Sequence, residues 1–393
     1  MLPLKKLVCI LLCTLLVCAL PQKASALTYG KTEIFLDAPP LSAKSAVLLD
    51  ASTNSIICQK DAHTKRAMAS TTKIMTALVA AELCELNRVV SVNEGAVGVE
   101  GSSVYLYAGE RLTMYELLCA MLLESANDAA VAIAVGLCGS VKAFAEEMNR
   151  IAVDMGLRQT HFINPHGLDH PEHFTTAREL AKITCRAMEN GLFRLIVSTR
   201  KTSIPHAGTD LSRMLINHNK LLRLYDGCIG VKTGYTQKSG RCLVSAAERD
   251  GVTLIAVTLN APDDWNDHSR MLDYGFSAFE SVDLCTEREF RIPLALVGGA
   301  EDYVMLSNRE AITRTLPMGH GEITQTVEIP QFAYAAVKSG DVLGRVVWRC
   351  DSDGDGDTEI LAETELFALY DVERASIRRT FWQWLCSLFG FWS

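Results

Sequence analysis

Apolar and polar positions change their period in a definite order along this chain. Residues 46–50 and 55–58 are apolar runs separated by Ala51-Ser52-Thr53-Asn54, a turn-type composition that predicts a β-hairpin. From about Ser70 the period becomes helical. Ile74, Ala77, Leu78 and Ala81 keep the i, i+3, i+4, i+7 spacing, and Met75 and Val79 add a second apolar side. A helix apolar nearly all round belongs inside a domain. Thr113-Met114-Tyr115-Glu116 is a capping box that opens a helix through Met121 and Leu122. Another helix is expected from Asn127 to Leu137, and a third from Ser140 to Gly156. A fourth opens on the capping box Thr176-Ala177-Arg178-Glu179 and closes at Gly191.

The period then returns to that of strands. Residues 229–232, 243–247 and 253–259 read as adjacent strands, with Asp250-Gly251 as a hairpin turn. Residues 265–279 predict a closing helix. Strands, a helical block and strands again describe an α+β domain over residues 27–283, whose antiparallel sheet gathers both ends of the segment. Past Leu284, short β-like runs at 290–297, 324–329, 333–337, 342–349, 359–363 and 366–370 predict a small all-β sandwich over residues 284–373.

The two ends differ from both domains. Lys5 and Lys6, an apolar run from Leu7 to Leu20 and Ala24-Ser25-Ala26 read as a secretory signal peptide over residues 1–26; an uncleaved anchor is the alternative. In residues 374–393, Arg378-Arg379 precede Phe381, Trp384, Leu385, Leu388, Phe389 and Trp392 at helical spacing. The segment is too short to span a bilayer. It is expected to be an amphipathic helix lying at a membrane surface, the alternative being a helix packed on the sandwich.

Composition adds an address and excludes some chemistry. The chain is 49% hydrophobic and 21% charged, with a net charge of −8. It is more acidic still without the three lysines of residues 1–26, so nucleic acid is not an expected partner. The cysteines outside that segment are scattered singly, with neither C-x-x-C pairs nor zinc spacing. Cys84, Cys119 and Cys185 fall within helical apolar patterns, where a buried free thiol is expected. Residues 351–357 space acids like a calcium loop, but position 362 is Ala rather than Glu, so a solvated turn is the reading. His161, His166, His170 and His173 read as a polar loop near the cleft. No metal or other cofactor is expected.

Three short strings carry the chemistry. Ser70-Thr71-Thr72-Lys73 puts a hydroxyl and an amine one helical turn apart. A lysine in an apolar helix loses hydration, and its pKa falls toward neutrality, so Lys73 can take the Ser70 proton. Ser125-Ala126-Asn127 lies at a helix junction that can aim a hydroxyl and an amide into a cleft. Lys232-Thr233-Gly234 ends a strand that could pair with an extended peptide. Gly234 allows close backbone approach, Lys232 supplies positive field and Thr233 a hydroxyl. The backbone N–H groups of Ser70 and Tyr235 could form an oxyanion hole.

In this order the strings resemble those of the low-molecular-weight penicillin-binding proteins, the serine-type D-alanyl-D-alanine carboxypeptidases. The flanking words match as well: Ala67-Met68-Ala69 before Ser70, Asp128-Ala129-Ala130 after Asn127, and Asn164-Pro165-His166-Gly167-Leu168. The resemblance implies a β-lactamase/transpeptidase-like fold. It also implies an acyl-enzyme on Ser70 that releases the terminal D-alanine of peptidoglycan stem pentapeptides, and acylation by β-lactam antibiotics. Lys73 is then the base, Ser125 the proton relay, Asn127 a substrate-amide ligand, and Lys232 with Thr233 the carboxylate anchor. The implied location is the outer face of the cytoplasmic membrane. Ala126 stands where β-lactamases often carry Asp, and the arginine that some relatives aim at the carboxylate has no evident counterpart near His218-Asn219-Lys220 or Arg270. A serine β-lactamase and a non-catalytic cell-wall binding module are the alternatives.

Overall fold

The computed structural model describes residues 39–206, 208–350 and 359–375. The expectations for the leader, the acidic loop and the tail lie outside them. The first hairpin forms β1 (Ser45–Asp50) and β2 (Ile56–Lys60). Two small antiparallel pairs follow, β3 (Val89–Ser91) with β4 (Arg111–Thr113) and β5 (Lys201–Pro205) with β6 (Ser212–Ile216). The late strands are β7 (Cys228–Thr236), β8 (Gly240–Arg249) and β9 (Val252–Leu259). One antiparallel sheet of order β2-β1-β9-β8-β7 joins the two ends of the segment.

The sheet is covered on both faces, which explains why β1 is an unbroken apolar run. Val47 and Leu49 meet the helical core, whereas Ala46 and Leu48 share a second core with Met271 and Leu272. The helical block comprises α1 (Lys73–Leu83), α2 (Met114–Leu123), α3 (Asn127–Cys138), α4 (Val141–Asp154), α5 (Ala177–Met188) and α6 (Gly191–Ser198). A single turn, α7 (Leu221–Leu224), precedes β7, and α8 (Asp264–Ala278) closes the segment on the far face.

Local signals set most helix ends. Thr113 and Glu116 form the expected capping box. Ser140 caps α4, and Gly156 follows its end with φ +73°. At α5 only half the box forms. Thr176 accepts from Glu179 N, but the Glu179 carboxylate instead accepts from the backbone of Arg158 and Gln159 and from Thr160. Gly191 does not end α5; it opens α6, because the Asn190 side chain caps Leu192 N and Phe193 N.

The C-terminal part contains β10 (Phe279–Cys285), β11 (Ile292–Val297), β12 (Tyr303–Ser307), β13 (Ile312–Pro317), β14 (Ile323–Glu328), β15 (Ala333–Tyr334), β16 (Val342–Cys350) and β17 (Glu359–Ala368). A six-stranded sheet of order β14-β16-β17-β12-β11-β15 packs with the β10–β13 pair on one core that holds Trp348, Val304, Leu306 and Leu316. Strands β10, β12 and β13 were not legible in the apolar pattern. The runs expected at 359–363 and 366–370 are one continuous strand, since Thr364 and Glu365 keep their pairing to Val346 and Arg345.

Cys58, Cys119, Cys185, Cys242, Cys285 and Cys350 are buried, and Cys58, Cys84, Cys119, Cys138, Cys185, Cys228, Cys242 and Cys285 are free thiols. Desolvation raises the thiols of Cys58 and Cys185 to about 12. It raises those of Cys119, Cys228 and Cys242 to about 11.

Candidate active site

A 3₁₀ turn, Ala69–Thr72, carries Ser70 into α1. Its hydroxyl-bearing residues lock the turn: Thr71 Oγ1 donates to Met68 O at 2.6 Å and Thr72 Oγ1 to Ala69 O at 2.8 Å. Thr72 Oγ1 also lies 2.8 Å from His173 Nε2. Ile163 N donates to His173 Nδ1, so Nδ1 is the acceptor and Nε2 carries the proton it gives to Thr72. Burial holds His173 neutral, with its pKa lowered to about 3. Gly167 packs directly under the turn with φ +95°; a Cβ there would fall 1.9 Å from Ala69 O.

Lys73 is fully buried, and three oxygens surround its Nζ: Ser70 Oγ at 3.0 Å, Asn127 Oδ1 at 2.6 Å and His166 O at 2.8 Å. The Asn127 orientation is fixed because Nδ2 donates to Glu100 O. Two of the three oxygens are therefore obligate acceptors. A neutral amine has two N–H bonds, which these acceptors consume, leaving the lone pair directed at Ser70 Oγ. Desolvation first, and then the Lys232 charge, lower the Lys73 pKa well below its ordinary value, against a raising contribution from Asp128.

Ser125 joins α2 to α3 with φ +59°, a conformation uncommon outside glycine, held at a cost at a junction that lines the cleft. Asp128 clamps the facing loop, accepting from Ser103 Oγ, Val104 N and Leu106 N. Asn127 N donates to Ser102 O. Glu124, just before Ser125, accepts from Ile216 N and pairs with His218.

Strand β7 is an edge of the sheet and runs to Thr236, two residues beyond the expected end. Gly234 faces the serine turn, and a Cβ there would stand 3.0 Å from Ser70 N and 3.1 Å from Ala69 Cβ. That tight approach brings β7 against the N–H of the serine. Ser70, Ser125, Thr233, Gly234 and Tyr235 line one cleft of about 380 Å³. Lys232 does not line it. Its buried amine sits behind the wall, donates to Thr233 O at 2.9 Å and is lowered to about 7 by desolvation.

Arg241 was not foreseen. It also lines the cleft, with His218, Lys220, Asp264 and Trp265. Its guanidinium bonds Asp264 Oδ1 through Nε and Nη2 and lies 5.7 Å from the Trp265 ring. The signal was the hairpin register, which pairs Arg241 with Tyr235. Arg270 points elsewhere, toward Asp267 and Pro40 O. Of the loop histidines, His173 is buried and His166 half-buried beside the serine turn, and among the described residues no cluster could hold a metal.

A buried lysine aimed at a serine, in a cleft between a helical block and an edge strand, defines a serine acyl-transfer enzyme of the transpeptidase-like fold. The D-alanyl-D-alanine carboxypeptidase family model matches residues 33–263. D-alanyl-D-alanine carboxypeptidase DacF of Bacillus subtilis is 30% identical over 356 residues, spanning 87% of this chain and 90% of the relative. The crystal structure of penicillin binding protein 5 from Haemophilus influenzae superposes with a TM-score of 0.68 at 26% identity, over 86% of this chain and 99% of that one. The Streptomyces K15 DD-transpeptidase superposes with a TM-score of 0.58 at 32% identity, over 61% and 98%. The chain belongs to the D-alanyl-D-alanine carboxypeptidase family, and its activity is that of a serine-type carboxypeptidase.

Proposed function

We propose that Ser70 is the nucleophile and Lys73 its base in removing the terminal D-alanine from peptidoglycan stem pentapeptides. The observation that carries this is the Lys73 Nζ to Ser70 Oγ contact of 3.0 Å in a fully buried setting. Ser70 Oγ attacks the carbonyl between the two D-alanines, and its proton passes to Lys73. The N–H groups of Ser70 and Tyr235 stabilise the oxyanion. Ser125 returns a proton to the leaving amine, and water then hydrolyses the ester. Penicillin acylates the same oxygen.

Both ends of the Asn127 amide are engaged, by Lys73 and by Glu100 O. That supports a positioning role for Asn127 rather than the substrate contact expected from the sequence. Thr233 and Arg241 are the groups of the cleft wall suited to the terminal carboxylate, with Lys232 adding positive field from behind. The exported location and the membrane attachment through residues 374–393 belong to this same reading. A β-lactamase needs a base for fast deacylation. Among the described residues the one acid lining the cleft, Asp264, is tied to Arg241.

The test is incubation of the full chain with a D-Ala-D-Ala pentapeptide, with its C-terminal amide and with labelled penicillin. Release of D-alanine from the free acid, at least tenfold slower release from the amide and a long-lived adduct on Ser70 are expected. Rapid penicillin turnover, or an adduct elsewhere, would overturn the reading.

A pH profile follows from the two lysines. Lys73 acts when neutral, so its contribution grows as pH rises through its lowered pKa. Lys232 acts when charged, so its contribution fades as pH rises through about 7. The profile of kcat/KM for the free-acid peptide should be bell-shaped. Lys232→Arg should abolish the descending limb below about pH 10, because a guanidinium stays charged. An unchanged descending limb would remove Lys232 from this role.

A further inference from the structure

Among the described residues, the β12-β11-β15 end of the C-terminal sheet has an apolar outer face that nothing covers. Along β11, Leu294 and Leu296 enter the core while Ala295 and Val297 are exposed. Register places Tyr303 opposite Ala295, Met305 on the same face, and Tyr334 beside Val297. Tyr303, Val297 and Tyr334 are 50%, 47% and 70% exposed. Phe332 packs edge-on against Tyr334, with ring centroids 5.4 Å apart. Contiguous exposed aromatic and aliphatic surface of this kind marks a contact site.

The chain itself leaves at this face. Ala375 N donates to Gly298 O, the neighbour of Val297, and Arg374 Nε donates to Ala335 O, the neighbour of Tyr334. Residues 376–393 begin there and hold Phe381, Trp382, Trp384, Leu385, Leu388 and Phe389. Phe381 is six residues beyond Ala375, at most about 20 Å of chain. Charge is complementary as well. Arg378 and Arg379 precede the aromatic stretch, and no acid follows Glu373. Around the face stand Glu301, Asp302 and Glu373, all exposed, whose carboxylates make no ion pair among the described residues.

We propose that this face is the docking site of the chain's own residues 376–393, which occupy it in water and leave it when a bilayer is offered. The second half rests on the membrane reading above. In buffer the tail buries its aromatic side chains on the sheet and sets its arginines against the three acids. A bilayer competes by burying the same side chains at its interface.

The experiment replaces Tyr334 of the full chain with the photo-cross-linker p-benzoylphenylalanine; penicillin acylation reports that the fold is retained. Irradiation in buffer should give intramolecular adducts within residues 380–393, found by peptide mass spectrometry. Arg378→Glu with Arg379→Glu should cut their yield about fivefold. Adducts between two copies would assign the face to self-association, and the absence of any tail adduct would leave it without this occupant; either result overturns the proposal. Phosphatidylcholine–phosphatidylglycerol vesicles should remove the adduct in proportion to the protein that co-sediments. Persistence of the adduct in sedimented protein would overturn the competition. A tail that cross-links in buffer while the protein stays unsedimented supports docking and sinks the membrane reading alone.

Discussion

Lys73→Met is expected to slow acylation of Ser70 by labelled penicillin on the order of 10³- to 10⁴-fold. Methionine keeps an unbranched, flexible side chain, one atom shorter, and carries no amine. The hydroxyl then lacks the group placed 3.0 Å away to receive its proton, and serine at its free pKa is a weak nucleophile. Asn127 Oδ1 and His166 O lose their buried donor at the same time, at about 1–3 kcal/mol each. Releasing a desolvated amine offsets part of that, so the unfolding temperature should fall far less than the rate does. Acylation within tenfold of the parent would show that another group deprotonates the serine.

Gly167→Ala should combine a large loss of stability with a large loss of acylation. The new methyl carbon would lie 1.9 Å from Ala69 O, 2.3 Å from Ala69 C and 2.9 Å from Thr72 Oγ1. Two of the three are backbone atoms of Ala69, the residue that precedes Ser70, so no rotamer change relieves the overlap. Left-handed strain at φ +95° adds to it. Together they cost about 3–5 kcal/mol, a drop in unfolding temperature on the order of 10 °C. Gly109→Ala is the control, since its φ of +81° carries strain with nothing within 4 Å, and it should cost only about 1 kcal/mol. Equal effects of the two substitutions would mean that the contact beneath the serine turn is unimportant.

The candidate site was legible because its signals are local. Ser70 and Lys73 share a helical face whatever the rest of the chain does, and the capping box at Thr113 needs only four residues. The string Lys232-Thr233-Gly234 was read at the end of a strand, and β7 carries it along an edge of the sheet. What escaped depends on pairing across the fold. Arg241 reaches the cleft only through the β7–β8 register, and Glu179 gave up half of its capping box to distant backbone donors near Thr160. Gly191 looked like a stop because glycine commonly is one, but Asn190 immediately before it supplied a start. Strand β17 looked broken because Thr364 and Glu365 interrupt its apolar run, although both continue its ladder. The β5–β6 hairpin carries too few apolar residues to announce itself, with one fully covered side chain on each strand, Ile204 and Leu215.

The desolvated thiols have a consequence for the life history of the molecule. A sulfhydryl at about 11 or 12 holds on the order of one thiolate in ten thousand or fewer at neutral pH, and the thiolate is the reactive form. Once folded, these five thiols (Cys58, Cys119, Cys185, Cys228 and Cys242) are nearly inert toward exchange with foreign disulfides. The nascent polypeptide enjoys no such protection, because its sulfurs ionise at their ordinary value near 8.5. Biogenesis, rather than service life, is therefore the stage at which an oxidant can cross-bridge these five sulfurs at random.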